Sequence, residues 1–171
     1  APHGVREKLV LAAEAAVLCP SNFTQGVVSE FLATQPWRQQ VDVFRDLYRE
    51  RRDALLETLD EQMPEGTSST VPAGGFYSWL TLPEGLDATA MLPRAVNALV
   101  AYVPGTGFFS DGQGRRNMRL SYCYPDPDRI REGVRRLATV MEAELEIGRT
   151  FGTASALHRP SGAEAPGPDL A

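Results

Sequence analysis

The sequence predicts an α/β or α+β domain in which a small sheet is covered on one face by helices. From residue 36 onward, helical and strand periodicities follow one another in the order α-β-β-α-β-β-α. Two further segments with helical periodicity precede that point, so helices come before the sheet. Hydrophobic residues make up 43% of the 171 residues, which is enough for one substantial core.

Three predicted helices open the chain. Apolar residues recur at helical spacing from Val5 to Leu18, and Pro20 ends that helix. A second helix begins at a Ser21 cap and ends before Pro36. A third helix extends from Pro36 to about Met63 and is long enough to bridge two domains. Its predicted apolar side comprises Val41, Phe44, Tyr48, Leu55, Leu59 and Met63.

Two strands and a fourth helix come next. Residues 67–71 are rich in Thr, Ser and Val and predict an edge strand, and the aromatic segment 76–82 predicts a second strand. Asp87 caps a helix that ends near Val100, with a kink or a late start imposed by Pro93. The predicted inward side of this helix comprises Leu92, Ala95, Val96 and Leu99.

The C-terminal part adds two strands and the last helix. A short strand over 101–103 leads into a loop over 106–114 that carries two exposed aromatics, Phe108 and Phe109. The strand over 117–124 alternates. Met118, Leu120, Tyr122 and Tyr124 lie on one face, and Asn117, Arg119, Ser121 and Cys123 lie on the other.

The last predicted helix begins at Asp126-Pro127 and continues to about residue 148. Its inward side comprises Ile130, Val134, Leu137, Met141 and Leu145. Beyond it, the Gly, Ala, Ser and Pro content of 149–171 predicts a disordered tail.

Composition excludes several classes of protein. A formal net charge of -5 disfavours binding to a nucleic-acid backbone. No apolar run approaches the ~20 residues of a membrane span, and the first residues lack the order of a signal peptide. Cys19 and Cys123 are far apart and unclustered, which predicts neither a disulfide framework nor a metal site. We therefore expect a protein of the reducing cytoplasm.

The common catalytic sets are missing from this sequence. His3 and His158 lie at the two ends of the chain, where neither is placed as the base of a hydrolase triad. No glycine-rich phosphate loop lies between a strand and a helix. Lys8 is the only lysine, so any chemistry that needs an amine has one candidate here.

Arg119 is the best candidate for ligand binding. Its guanidinium projects from the face of a strand opposite the apolar side, where it could take a ligand carboxylate in a bidentate fork. The alternative is a solvated arginine paired with a nearby Asp or Glu. Similarly, Gly75 has two interpretations, a turn that needs positive φ or a close approach to a ligand.

Six segments together resemble the C-terminal portion of class I/II, fold type I aminotransferases, which depend on pyridoxal phosphate. The similarity covers about residues 1–147 and is strongest to the branch of 2-aminoadipate and aromatic amino-acid transaminases. The motifs are APxxVREKL from Ala1, YRERRDA from Tyr48, PAGGFYSWLTLP from Pro72, VPG with the following Phe108-Phe109, MRLSY from Met118 and IREGVRRL from Ile130.

This resemblance implies a domain layout and a site. Residues 1–35 would end the large cofactor-binding domain, 36–148 would form the interdomain helix and small domain, and 149–171 the tail. Arg119 would bind the substrate α-carboxylate, with Gly75, Phe76 and Phe108 near the substrate. The chain would be a fragment of an enzyme, usually a homodimer, that moves an amino group between an amino acid and a 2-oxo acid such as 2-oxoglutarate.

The resemblance also implies what these residues do not supply. The Schiff-base lysine and most contacts to pyridoxal phosphate would come from upstream of Ala1, and Lys8 matches a helix position that is not catalytic. We therefore assign no catalytic residue to this segment, and its cofactor contacts stay unknown. Two alternatives stay open: an aminotransferase-like effector domain of a winged-helix transcription regulator, and a non-catalytic module that binds carboxylates.

Overall fold

The computed structural model describes residues 1–156. Its elements in chain order are α1 (His3–Val17), α2 (Asn22–Thr34), α3 (Trp37–Gln62), β1 (Ser68–Ser69), β2 (Tyr77–Thr81), α4 (Ala88–Asn97), β3 (Val103–Pro104), a 3-10 helix (Gly105–Phe108), β4 (Asn117–Ser121) and α5 (Pro127–Ala156). The predicted order of helices and strands is confirmed.

The chain divides into two compact units, one over Ala1–Arg45 and one from Asp46 onward. The point of division falls inside α3, whereas the sequence analysis placed a domain boundary at residue 35. The proposed layout of 1–35, 36–148 and 149–171 stays a prediction about the larger protein.

The first unit contains regular helices with no buried residue in α1 or α2. As predicted, Ser21 caps α2, and its hydroxyl oxygen accepts a hydrogen bond of 3.3 Å from the amide of Thr24. The apolar stripes of both helices are exposed. Their large side chains are Val5, Leu9, Val10, Leu11, Val17, Phe23, Val27, Val28, Phe31 and Leu32.

The second unit contains one antiparallel sheet with the strand order β1-β2-β4-β3. On β2 and β4, Ser78, Leu80, Met118 and Leu120 are buried, and they share one face because they pair as direct neighbours. This face joins α3, α4 and α5 in the core, so helices cover one face of the sheet as predicted. The core includes Leu55, Leu59, Met91, Ala95, Ile130, Val134, Leu137 and Met141.

Several sequence predictions differ from the structure in α4 and after β4. Helix α4 begins at Ala88 and contains Pro93, so the alternative of a late start is wrong. Asp87 caps the helix as predicted, and its carboxylate accepts hydrogen bonds from the amides of Thr89 and Ala90. Val96 and Leu99 were predicted to face inward and are exposed. Tyr124 is also exposed, because β4 ends at Ser121 and the inward alternation continues only as far as the buried Tyr122.

Two boundaries also differ from prediction. Strand β3 includes Pro104, which an edge strand tolerates because its outer side needs no amide donor. Helix α5 continues to Ala156, so the first residues of the predicted tail are helical. The rest of that tail lies outside the described residues.

Within residues 1–156, none of the helices combines the length and the apolar character needed to cross a bilayer.

Candidate functional site

Arg119 occupies the middle of the sheet, on the face opposite the core that the second unit builds. It lies on β4, where it pairs directly with Trp79 of β2 and with Val103 of β3. Its neighbours along β4, Met118 and Leu120, point into the core. The strand alternation therefore places Arg119 opposite the core, as predicted.

Two aromatic rings contact the guanidinium of Arg119. Its central carbon lies 4.1 Å from the ring centroid of Tyr77 and 5.1 Å from that of Phe108. Both distances fall within the range of cation–π contacts. No carboxylate among the described residues pairs with Arg119, so the alternative of an intramolecular ion pair does not apply within residues 1–156. The rings contact the cation without using its N–H donors, which stay available to an anion.

Phe108 reaches this position from the 3-10 helix that follows β3. Gly105 begins that helix at a very close approach, since a Cβ there would lie 2.5 Å from the Cβ of Asn117. A side chain at this position would force the helix away from β4. Phe108 packs edge-on against Trp79, with ring centroids 5.3 Å apart, and Phe109 lies 6.3 Å from the same indole.

Gly75 and Phe76 precede β2 and are held by contacts other than Arg119. Gly75 has φ of +87°, which supports its interpretation as a turn residue. The hydroxyl of Tyr122 donates a hydrogen bond of 2.9 Å to the carbonyl of Gly75. Phe76 packs edge-on against Tyr48 of α3, at 4.8 Å between centroids. Of the four predicted site residues, the structure shows direct contact between Arg119 and Phe108.

Tyr122 connects this turn to the interior. Its ring is buried, and burial raises the pKa of the hydroxyl, while the nearby charge of Arg52 acts in the opposite direction. The hydroxyl therefore stays protonated at neutral pH and remains a donor to Gly75.

Two arginines of helix α3 donate hydrogen bonds to the loop before β2 and to the loop after β4. A guanidinium nitrogen of Arg52 donates to the carbonyl of Pro72 at 3.3 Å, and one of Arg51 donates to the carbonyl of Cys123 at 2.5 Å. These contacts are not predictable from the sequence, because the spacing along one helix does not indicate which distant loops it meets.

Tyr77 is a contact of Arg119 that the local sequence pattern does not single out. Within the aromatic segment 76–82 it is one ring among several. The signal was available in the alternation of β2, which places Tyr77 and Trp79 on the same face, and in the pairing of β2 with β4. That pairing could not be derived from the sequence pattern alone.

Arg119 is half-buried on its face of the sheet. A cleft of about 470 Å³ lies elsewhere in the second unit, and its walls include Leu55, Val100, Ile130 and Val134. Arg119 does not line it.

The described residues do not supply a lysine suited to holding pyridoxal phosphate. Lys8 is the only lysine of the chain and is exposed on α1, a helix with no buried residue. A cofactor held through a Schiff base requires a lysine inside a shaped and shielded pocket. Residues 1–156 also contain no group of three or more His, Cys, Asp or Glu side chains that could hold a metal ion.

Three proteins illustrate what this chain is similar to. An aromatic-amino-acid aminotransferase of Thermococcus litoralis is 39% identical over 145 residues, which cover 85% of this chain and 34% of the relative. The crystal structure of a multiple substrate aminotransferase from Thermococcus profundus matches with a TM-score of 0.75 and 40% identity, over 85% of this chain and 36% of that one.

The third is an α-aminoadipate aminotransferase of Thermus thermophilus, solved with N-(5'-phosphopyridoxyl)-L-leucine. It matches with a TM-score of 0.71 and 37% identity, over 84% of this chain and 37% of that one. A more distant relative, at 28% identity over 69% of this chain, is a Bacillus subtilis protein described as an HTH-type transcriptional regulator. No protein-family model matches. The chain spans about a third of the length of the aminotransferases it matches.

Proposed function

Because this chain is homologous to the C-terminal portion of aminotransferases, we propose that it supplies the carboxylate-binding part of a pyridoxal-phosphate-dependent aminotransferase. The reaction moves an amino group from an amino acid to a 2-oxo acid of the 2-oxoglutarate type. Both substrates carry a carboxylate beside the reacting carbon. One arginine can therefore hold each of them in turn.

The observation that carries this proposal is the state of Arg119. Its guanidinium contacts the rings of Tyr77 and Phe108 and has no carboxylate partner among residues 1–156. A planar guanidinium with donors available matches the two oxygens of an α-carboxylate. Gly75 and Phe76 lie in the turn just before Tyr77, and we assign them to the region of the substrate side chain.

The cofactor lysine has to come from outside these residues, since Lys8 does not fit that role. We therefore assign no step of the cofactor's chemistry to this segment. From the resemblance, we also propose a cytoplasmic homodimer. The regulator alternative is less favoured because the aminotransferases match at higher identity and over more of the chain.

Substitution of Arg119 in the full-length protein tests the proposal. We expect Arg119→Ala to lower kcat/KM for amino acids by about 10²- to 10³-fold, because a charge-paired contact is lost. Cofactor content, measured as the pyridoxyl adduct formed on a lysine by borohydride reduction, should stay unchanged. The matched control is Arg115→Ala, which removes an exposed guanidinium four positions earlier.

Two results would contradict the proposal. Equal loss of cofactor and of amino-acid use in Arg119→Ala would indicate a structural role. A native protein that gives no pyridoxyl adduct on any lysine would leave the non-catalytic carboxylate module as the better description.

A further inference from the structure

Trp79 is the direct cross-strand neighbour of Arg119, yet the indole contacts other rings rather than the guanidinium in the pairs that the structure records. We propose that Trp79 is a positioning residue, which holds Phe108 against Arg119 and thereby keeps the guanidinium in its carboxylate-binding orientation. This inference rests on the proposed function of Arg119.

The geometry gives Arg119 two supports of different kinds. Tyr77 is a direct support, because it lies on β2 on the same face as Trp79, with its ring 4.1 Å from the guanidinium carbon. Phe108 is an indirect support, because it lies in a 3-10 helix and not in a strand of the sheet. Its place over Arg119 therefore depends on what holds its ring.

Trp79 is the side chain that holds that ring. Phe108 is 49% exposed, so the core does not fix its rotamer. The indole of Trp79 meets it at an interplanar angle of 85°, which is the edge-to-face arrangement that aromatic pairs favour. Phe109 packs on the same indole at 39°, so Trp79 anchors two consecutive residues of this segment.

Restraint of Arg119 has a direct consequence for binding. A free arginine side chain samples many rotamers, and binding must restrict them. The contacts with Tyr77 and Phe108 restrict those rotamers before the ligand arrives. Removal of Trp79 should release Phe108, return rotamer freedom to Arg119 and weaken carboxylate binding, while the strand and its core face stay in place.

The experiment uses the full-length holoenzyme and a pair of matched probes. The first probe is 3-phenylpropionate, a carboxylate with no amino group to transfer, and the second is its neutral amide. Calorimetric Kd values are measured for the wild type and for Trp79→Leu, Trp79→Phe and Arg119→Ala. Trp37→Leu, which alters the other tryptophan of the chain, is the control.

We expect Trp79→Leu to raise the Kd of the carboxylate by roughly threefold to tenfold, the range of one aromatic pair, and to leave that of the amide unchanged. Trp79→Phe should restore most of the affinity because it keeps a ring against Phe108. In turnover, KM should rise with little change in kcat, because the contact serves substrate and transition state alike.

A double-mutant cycle tests the route through Phe108. In a Phe108→Leu background, Trp79→Leu should have no further effect on carboxylate binding. An effect that persists there, an equal weakening of carboxylate and amide, or an unchanged Kd in Trp79→Leu would each overturn the positioning role. If Arg119→Ala itself leaves carboxylate binding intact, the proposed function fails. If Arg119→Ala weakens carboxylate binding and Trp79→Leu does not, the positioning role of Trp79 is refuted and the proposed function of Arg119 stands.

Discussion

Leu99 follows α4 in a conformation that leucine rarely adopts, with φ of +61°. Its amide donates to the carbonyl of Val96, and the amide of Val100 donates to that of Ala95, both at 2.9 Å. This is the Schellman pattern of helix ends, in which the residue at this position is usually glycine. The Leu99 side chain is 81% exposed, so burial does not offset the backbone strain.

Replacing Leu99 should therefore stabilise the protein. We expect Leu99→Gly to raise the free energy of unfolding by about 0.5–1 kcal/mol, because relief of the left-handed strain exceeds the added entropy of the unfolded chain. Leu99→Ala keeps a Cβ and should change it little. Urea unfolding of the three proteins measures both effects, and equal values for Gly and Ala would disprove the strain.

Tyr102 gives a residue-scale prediction about pH. Burial, with the nearby charge of Asp87 as a smaller cause, raises the pKa of Tyr102 above its ordinary value of 10.0, and its hydroxyl donates to the carbonyl of Ala88. The neutral form is favoured in the folded state, so this stabilisation is complete below pH 10 and is lost as the pH rises further.

Unfolding followed between pH 9 and pH 12 (roughly one unit below to two above the ordinary tyrosine value) should show this decline. In Tyr102→Phe the decline should be shallower, because the variant has no buried hydroxyl to ionise. The same slope in both proteins would assign the alkaline loss to other groups.

At the scale of elements, a little more than one turn of α3 holds the two loops that flank the ends of β2 and β4. Tyr48 packs on Phe76, Arg52 reaches the carbonyl of Pro72, and Arg51 reaches that of Cys123. The guanidinium bonds are long-range in sequence and satisfy loop carbonyls that have no strand partner. The YRERRDA motif thus has a structural role within the second unit.

Arg51→Met tests that role, because it keeps the long side chain and removes the donor. We expect the free energy of unfolding to fall by about 1.5–3 kcal/mol, the usual value of a hydrogen bond from a charged group. Arg49→Met on the same helix breaks only the exposed pair with Asp46 and should cost less than about 0.5 kcal/mol. If Arg51→Met and Arg49→Met lose similar amounts of unfolding free energy in thermal or urea unfolding, Arg51 has no special role.

At the scale of the whole molecule, the buried side chains are concentrated in the second unit, and α1 and α2 bury none. Stability measured on the 171-residue chain should follow that division. We expect Leu137→Ala, at a site 1% exposed, to cost about 2–5 kcal/mol of unfolding free energy.

Leu9→Ala is the matched change in the first unit, where the side chain is 59% exposed. It should alter the unfolding free energy by less than about 0.5 kcal/mol. A comparable loss at both positions in urea unfolding would mean that Leu9 is buried in solution.

Local pattern predicted most of this fold, and tertiary context accounts for the misses. The order of elements, the Ser21 and Asp87 caps and the inward side of α5 follow from periodicity and capping chemistry. Val96 and Leu99 fit the helical period of α4 but are exposed, and Leu99 lies beyond the end of α4 at Asn97. Periodicity identifies a face but does not show how much of it a neighbour covers.

The candidate site was predictable to a smaller extent. Alternation along β4 placed Arg119 on the face opposite the core, and the resemblance supplied its role as an expectation. The positions of Tyr77 and Trp79 beside Arg119 depend on the pairing of β2 with β4. The position of Phe108 depends on a 3-10 helix, where the sequence predicts a loop. These contacts join segments that are distant in the chain, which is why local pattern did not find them.

One face of the sheet builds the core and the other carries Arg119, and this separation has an evolutionary consequence. On β2 and β4, residues that build the core alternate with residues that surround Arg119, so one strand carries both sets without sharing positions between them. Mutation can therefore change the outer set while selection for folding preserves the inner one. A lineage that inherits this sheet can vary the surface around Arg119 by drift at alternate positions of β2 and β4 without opening a cavity in the core.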